Sequence, residues 1–241
     1  MKKTKKKAVF PAGGKGGTGK STVVISLAEW YQENHIPCTL LDLDTENRKK
    51  GSLSHFFPDR AAKIDINTPA GLDAFIDQAD KDPDVILADM GAGSSKVSTA
   101  WFDSMHDSVA DILTFTAIGV VTSDPASVES VLNWAAQLQD RVSYVVVLNQ
   151  QEDLQEDFTY WEKTAEAVAF REAFQPPVIR MAARLPGLQH ALRNHGYTLG
   201  QVINRETTAA ELAKSSLVVR AQAYRRQFFA ELDRVKEALL P

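Results

Sequence analysis

The stretch Gly13-Gly14-Lys15-Gly16-Gly17-Thr18-Gly19-Lys20-Ser21-Thr22 is the part of this sequence best equipped for chemistry. Gly14, Gly19, Lys20 and Ser21 satisfy the spacing G-x-x-x-x-G-K-[ST], and five of the chain's 13 glycines fall in these ten positions. Glycines let consecutive backbone N–H groups turn inward on one anion, and a helix beginning at the loop's end points its positive pole at the same anion. The chemistry predicted is phosphate binding. Gly14, Gly16, Gly17, Thr18, Gly19 and Thr22 form the cradle, Lys20 reaches the β- and γ-phosphates, and the Ser21 hydroxyl takes Mg²⁺. Lys15, a second lysine inside the loop, is not needed for that cradle.

Three further segments end in side chains that suit the same chemistry. LLDLD closes on Asp42 and Asp44, DVILAD on Asp89, and YVVVLN on Asn149. A carboxylate at the end of a strand beside a phosphate loop can orient a water in line with the γ-phosphorus. A hard cation wants oxygen ligands, which Ser21, Asp89 and phosphate oxygens would supply.

These segments need a scaffold, and the patterning predicts one. Short apolar, β-branched runs alternate with longer amphipathic stretches, as in a sheet covered by helices. Strands are predicted at Lys7–Pro11, Thr39–Leu43, Val85–Asp89, within Ile112–Thr122, at Tyr144–Leu148 and at Val178–Arg180. Helices are predicted at Lys20–Asn34, Gly71–Ala79, Ser127–Leu138 and Phe158–Phe174. VILAD and YVVVLN are almost continuously apolar, as parallel strands buried on both faces tend to be. Leu217, Ala221, Tyr224, Phe228, Leu232, Val235 and Leu239 recur every three or four residues, so a final helix with one apolar stripe is expected to pack on the sheet. A membrane-surface helix would carry more lysine and arginine opposite that stripe; here Arg225, Arg226 and Arg234 mix with Glu231, Asp233 and Glu237. The expected fold class is α/β, a mostly parallel sheet with helices on both faces, in one domain over residues 1–241 with a flexible lysine-rich tail at 1–6.

Composition excludes several classes. Of the 241 residues 44% are hydrophobic and 24% charged, which fits a globular chain rather than a disordered one. The net charge of −4 argues against a wholly basic nucleic-acid coat while allowing a local basic patch. Cys38 is the only cysteine, so neither an intramolecular disulfide nor a cysteine metal cluster can form within one chain. The longest apolar run, Ile112–Val121, is too short to span a bilayer, and MKKTKKKAVF lacks the apolar core of a signal peptide; a cytoplasmic location without stable membrane association is the expectation.

KGGTGKST, Lys15 to Thr22, resembles the deviant phosphate loop K-G-G-x-x-K-[ST] of the ParA/MinD ATPases. The resemblance extends over most of the first 150 residues. LLDLDTEN is similar to that family's D-x-D-P-Q switch, with Thr45-Glu46 in place of Pro-Gln, and DVILADMGAG to its D-x-P-A-G segment, with Gly91 in place of the proline. The wording DMGAGSS is closer to plasmid-borne relatives of the TraL and StbB type than to MinD itself. VVTSDPASVESVLNW is similar to the family's V-T-x-P turn and helix, and no chemistry is assigned to it.

The resemblance implies roles. Lys15 would cross a dimer interface to the partner's nucleotide, and Asp44 would serve the attacking water and the metal shell. Asp89 would hold Mg²⁺ through water, and the Gly93 N–H would face the γ-phosphate. Asn149 would contact adenine, for which an amide with donor and acceptor is suited; a guanine-specific protein would show N-K-x-D, from which Gln150 and Glu152 depart. The segment Gln175–Arg180 lies near the loop that closes the base pocket. The function implied is a Mg-ATP-dependent homodimer that positions, segregates or mobilises DNA, with hydrolysis stimulated by a partner protein. Arg180, Arg184, Arg193, Arg205, Lys214, Arg220, Arg225 and Arg226 are candidates for non-specific DNA contact; from Arg180 to Arg205 there are four arginines and no acid. The alternatives are a protein-recruiting switch, with Glu152, Asp153, Glu156 and Asp157 as a docking patch, and a small-molecule synthetase on the same scaffold. Delivery of metal clusters is disfavoured by the lone Cys38.

Overall fold

The computed structural model describes residues 5–44, 51–66, 68–81, 83–91, 95–151 and 157–241. Seven strands form one sheet: β1 (Lys6–Ala12), β2 (Cys38–Asp42), β3 (Ala61–Lys63), β4 (Val85–Asp89), β5 (Leu113–Val121), β6 (Ser143–Asn149) and β7 (Val178–Met181). Their order is β3-β2-β4-β1-β5-β6-β7, and every pairing is parallel. The parallel sheet is therefore complete, without an antiparallel edge among the described residues.

Period-two alternation sends neighbouring side chains to opposite faces, and both faces are covered, which is why the strands read as continuous apolar runs. Val9, Leu40, Leu87 and Val147 pack with α1 (Lys20–Glu33), α2 (Leu53–Phe56), α8 (Pro186–His195), α9 (Leu199–Ile203), α10 (Ser215–Arg234) and α11 (Lys236–Leu239). Phe10, Leu41, Ile86 and Val146 pack on the other face with α3 (Pro69–Asp80), α4 (Ser95–Val109), α5 (Pro125–Leu138), α6 (Thr159–Lys163) and α7 (Ala165–Phe174). At Gly119 a Cβ would come within 2.6 Å of Val131 Cγ1, so the glycine lets α5 settle against β5.

The final stripe is core. Ala221, Tyr224, Phe228, Leu232, Val235 and Leu239 are all buried. Its polar ends are fixed too: Trp30 Nε1 donates to Asp233 Oδ1 at 2.8 Å, and Tyr31 Oη donates to the Leu239 carbonyl at 2.9 Å. An apolar face so covered is not open to a membrane surface. No helix among the described residues is long and apolar enough to cross a membrane.

Several boundaries differ from expectation. The helix expected over Phe158–Phe174 is two helices, because Thr164 adopts an extended backbone (φ −67°, ψ 142°) between α6 and α7. β1 begins at Lys6, inside the segment expected as a tail; Lys6 Nζ donates to the Ala79 carbonyl at 2.6 Å and Lys5 Nζ to the Ala110 carbonyl at 2.6 Å. Cys38 opens β2, and burial pushes its thiol up to about 12, which leaves it a poor nucleophile and metal ligand.

Candidate nucleotide site

The strand order reverses direction at β1, whose neighbours are β4 on one side and β5 on the other. In open parallel sheets such a switch point leaves a crevice beyond the strands' carboxyl ends. The phosphate loop leaves β1 there and runs into α1. Three of its glycines have positive φ: Gly13 (118°), Gly17 (79°) and Gly19 (98°). Gly19 is doubly constrained, since a Cβ would also lie 2.4 Å from Asn149 Nδ2.

The loop borders two adjoining cavities. One, of about 240 Å³, is lined by residues 16–22 of the loop together with Asp44, Gly91, Gln189 and Arg193. The other, of about 170 Å³, is lined by Gly17, Gly19, Thr22, Asn149, Met181 and Arg184, among others. Gly17, Gly19, Thr22 and Gln189 border both. Their combined size falls within the ~300–1,000 Å³ of ligand pockets.

Lys20 is buried, and its Nζ donates to the Lys15 carbonyl at 2.6 Å across the loop. Burial lowers its pKa, while Asp89 and Asp44 pull the other way. The Ser21 hydroxyl donates to Asp89 Oδ1 at 3.3 Å. Asp89 is fully buried, and its Oδ2 has no hydrogen-bond partner among the described residues. Burial above all pushes its pKa up to about 7; Ser21 and Lys20 oppose that, and Asp42 and Asp44 add to it. A carboxylate oxygen buried beside a serine hydroxyl, undercompensated in charge, fits a divalent cation. Among the described residues no three His, Cys, Asp or Glu cluster as a metal cage. The Asp89 carboxylate and Ser21 hydroxyl fit Mg²⁺, which usually takes one or two carboxylates and fills its shell with phosphate oxygens and water.

Asp44 is also buried at the crevice. Its backbone N–H donates to Asp42 Oδ1 at 3.1 Å, while Asp42 Oδ2 accepts from the Ser54 N–H at 3.1 Å and from the Ser54 hydroxyl. Asp42 thus positions the turn that carries Asp44. A Cβ on Gly91 would lie 2.5 Å from Asp44 Oδ1. Glycine at position 91 is what leaves space for this carboxylate.

Asn149 Nδ2 donates to the Thr18 carbonyl at 2.7 Å, tying the end of β6 to the loop. Gln151 Nε2 adds a bond to the Gly17 carbonyl at 2.5 Å. Met181 at the end of β7, with Ala182 and Arg184 just after it, borders this cavity. Gln175–Pro177 lie at the other end of the strand: the Pro177 carbonyl accepts from Val146 N, whereas Asn149 pairs with Met181.

Two predicted residues lie away from the cavities. Gly14 and Lys15 donate their N–H groups to Ser130 Oγ on α5, at 2.6 and 3.0 Å. The Lys15 ammonium sits 3.1 Å from Asp124 Oδ2, with both side chains about half exposed. Asp124 also caps α5, accepting from Ala126 N at 2.9 Å. The segment Val120–Trp134, to which the sequence assigns no chemistry, therefore anchors the first half of the loop through Ser130 and Asp124. Gly93 lies outside the described residues, as do Thr45, Glu46, Glu152, Asp153 and Glu156.

The arginine-rich stretch does not form one basic face. Arg184 stacks over the Tyr224 ring at 4.5 Å and donates to Ser26 Oγ at 3.2 Å, and Arg193 borders the phosphate cavity. Arg180 lies over Phe158, and Arg225 pairs with Glu33. Arg205, Lys214, Arg220 and Arg226 are exposed.

No family model matches this sequence, and no curated protein does. Among solved structures it is similar to a Borrelia burgdorferi B31 protein assigned to plasmid partition and solved with AMPPNP bound. Identity is 12%, over 91% of this chain and 99% of that one, with a TM-score of 0.51. Similarity also extends to the MinD cell division protein of Aquifex aeolicus (14% identity, 94% of this chain, 98% of that one, TM-score 0.49). The MinC:MinD complex of the same organism gives 15% identity, 94% of this chain, 96% of that one and a TM-score of 0.48. At these identities the likeness is one of fold. With seven parallel strands, helices on both faces and the phosphate loop at the switch point, the chain shares an α/β P-loop fold with that plasmid partition protein.

Proposed function

We propose that this chain is a Mg-ATP-dependent switch ATPase that dimerises on ATP and positions, segregates or mobilises DNA in the cytoplasm. The observation that carries the nucleotide part is the convergence of Lys20, Ser21, Asp89 with its unmatched oxygen, and Asp44 on the phosphate loop. The adjoining cavity at Asn149 would take the base. Asn149 gives one amide N–H to Thr18, and its carbonyl can accept from the exocyclic amine of adenine; guanine presents a carbonyl at that position.

In this reading the loop's N–H groups and the start of α1 bind the phosphates, and Lys20 lies between the β- and γ-phosphates. Ser21 and Asp89 would hold Mg²⁺, which supplies charge neutralisation on the phosphate oxygens. Asp44, held by Asp42, orients a water in line with the γ-phosphorus. Attack forms the new P–O bond as the bond to the β–γ bridging oxygen breaks, giving ADP and inorganic phosphate without a phosphoenzyme. Lys15 points away from its own cavity. Its exposed ion pair with Asp124 is weak, so it is cheaply released to reach a second copy's nucleotide.

A second reading, a switch that recruits a protein through its ATP-bound dimer, is favoured by the arginines. Arg180, Arg184, Arg193 and Arg225 have partners or cavities of their own, which leaves Arg205, Lys214, Arg220 and Arg226 for DNA. A random-sequence duplex titrated with protein in Mg-ATP, Mg-ADP and no nucleotide, across a salt series, separates the two. Binding only with ATP, falling steeply with salt, supports DNA positioning. ATP-dependent dimerisation without duplex binding supports recruitment of a protein.

A further inference from the structure

Arg193 borders the phosphate cavity together with the loop, and the hydrolysis described above gives it no role. Its host helix α8 is fixed at both ends. Pro186 opens it at the first helical position, Gly196 closes it in the left-handed conformation, and His55 Nε2 lies 2.9 Å from the Arg193 carbonyl. Gln189 and Arg193 are one turn apart on the same face, and both border this cavity. Gln189 also borders the cavity at Asn149, whereas Arg193 shares its cavity with Asp44 and Gly91 instead. Along α8, Arg193 stands one turn, about 6 Å of helix rise, beyond Gln189.

The side chain is exposed, and its guanidinium has neither a hydrogen bond nor an ion pair with any described residue. Other arginines are engaged: Arg60 with Gln32, Arg141 with Asp103, Arg225 with Glu33 and Arg234 with Glu231. Gly51 flanks it; a Cβ there would come 3.2 Å from Arg193 Nε. Charge adds a reason. Asp44 and Asp89 already face Lys20, and Lys15 is turned to Asp124. A triphosphate entering this cavity brings several more negative charges to a place with one inward ammonium. A planar guanidinium with several N–H donors is suited to terminal phosphate oxygens.

We infer that Arg193 binds the γ-phosphate of the nucleotide from α8, within the same chain, and so lets the site distinguish a triphosphate from a diphosphate. This rests on the nucleotide reading above. The test is calorimetric titration of AMPPNP and ADP, each with Mg²⁺, into the full chain and into its Arg193→Ala and Arg193→Lys variants, with thermal unfolding as a check of folding. The side chain is exposed and its backbone contact to His55 is independent of the side chain, so both variants should unfold at the parental temperature. Arg193→Ala should weaken AMPPNP by ~10–100-fold, the scale of a charge-assisted hydrogen bond, and leave ADP within a few-fold. Arg193→Lys should recover part of the loss. Equal weakening of both nucleotides, or of neither, would overturn the γ-phosphate role while the nucleotide reading stands. Binding of neither nucleotide by the parent chain would overturn both.

Discussion

Gly19 has two reasons to be glycine: a φ of 98° and the Asn149 amide 2.4 Å from where a Cβ would sit. Gly19→Ala should therefore lose nucleotide binding and stability together, by roughly 1–3 kcal/mol in denaturant titrations. Asp44→Ala should bind ATP, remain dimeric in sedimentation and fail to turn over; brisk turnover by that variant would remove Asp44 from the mechanism. The loop was legible because backbone phosphate binding demands glycines at fixed spacing, and no other chemistry does. Asp89 was legible because it ends an apolar strand, and Asp44 because it follows one by two residues. Ser130, Gln189 and Arg193 were not. Which face of α5 or α8 meets the loop depends on packing between segments more than 100 residues apart, and the local sequence carries no mark of it. The arginines between Arg180 and Arg205 were visible as a cluster, but the geometry divides them between cavities and surface.

At the scale of elements, α1 carries more than the loop's end. Glu29 on α1 is buried, and its Oε1 accepts from the Gly200 N–H at 2.6 Å, at the start of α9. Burial raises its pKa, with Gly200, Thr198 and two arginines opposing. A folded-state pKa above the unfolded value of 4.5 means that stability is fully present below that value and is lost as pH rises through the folded pKa. Glu29→Gln keeps the acceptor for Gly200 and removes the ionisation. Its stability relative to the parent should grow from pH 4 upward in urea titrations; a constant difference would show that the carboxylate's burial costs nothing. α10 is held by a different force. Phe228→Ala, at a position 1% exposed, should cost ~3–5 kcal/mol. That stripe was legible from its period. β3 was not, since Ala61–Lys63 is a three-residue edge strand with no apolar alternation. The break at Thr164 was equally hidden, because the apolar pattern continues through it.

At the scale of the molecule, the proposed switch depends on Lys15 leaving Asp124 for a second copy. Lys15→Ala should keep the parental unfolding temperature and bind ATP, yet stay monomeric in sedimentation with Mg-ATP; a Lys15→Ala dimer would sink the cross-interface role. All of this rests on one claim, that the cavity at the phosphate loop holds ATP. Calorimetric titration of Mg-AMPPNP and a GTP analogue into the parent and into Lys20→Ala, both checked for folding by thermal unfolding, tests it most directly. The account predicts one ATP analogue bound per chain, preference over the GTP analogue, and at least ~100-fold weaker binding by Lys20→Ala. A folded parent that binds no nucleotide, or a Lys20→Ala variant that binds as the parent does, would contradict it.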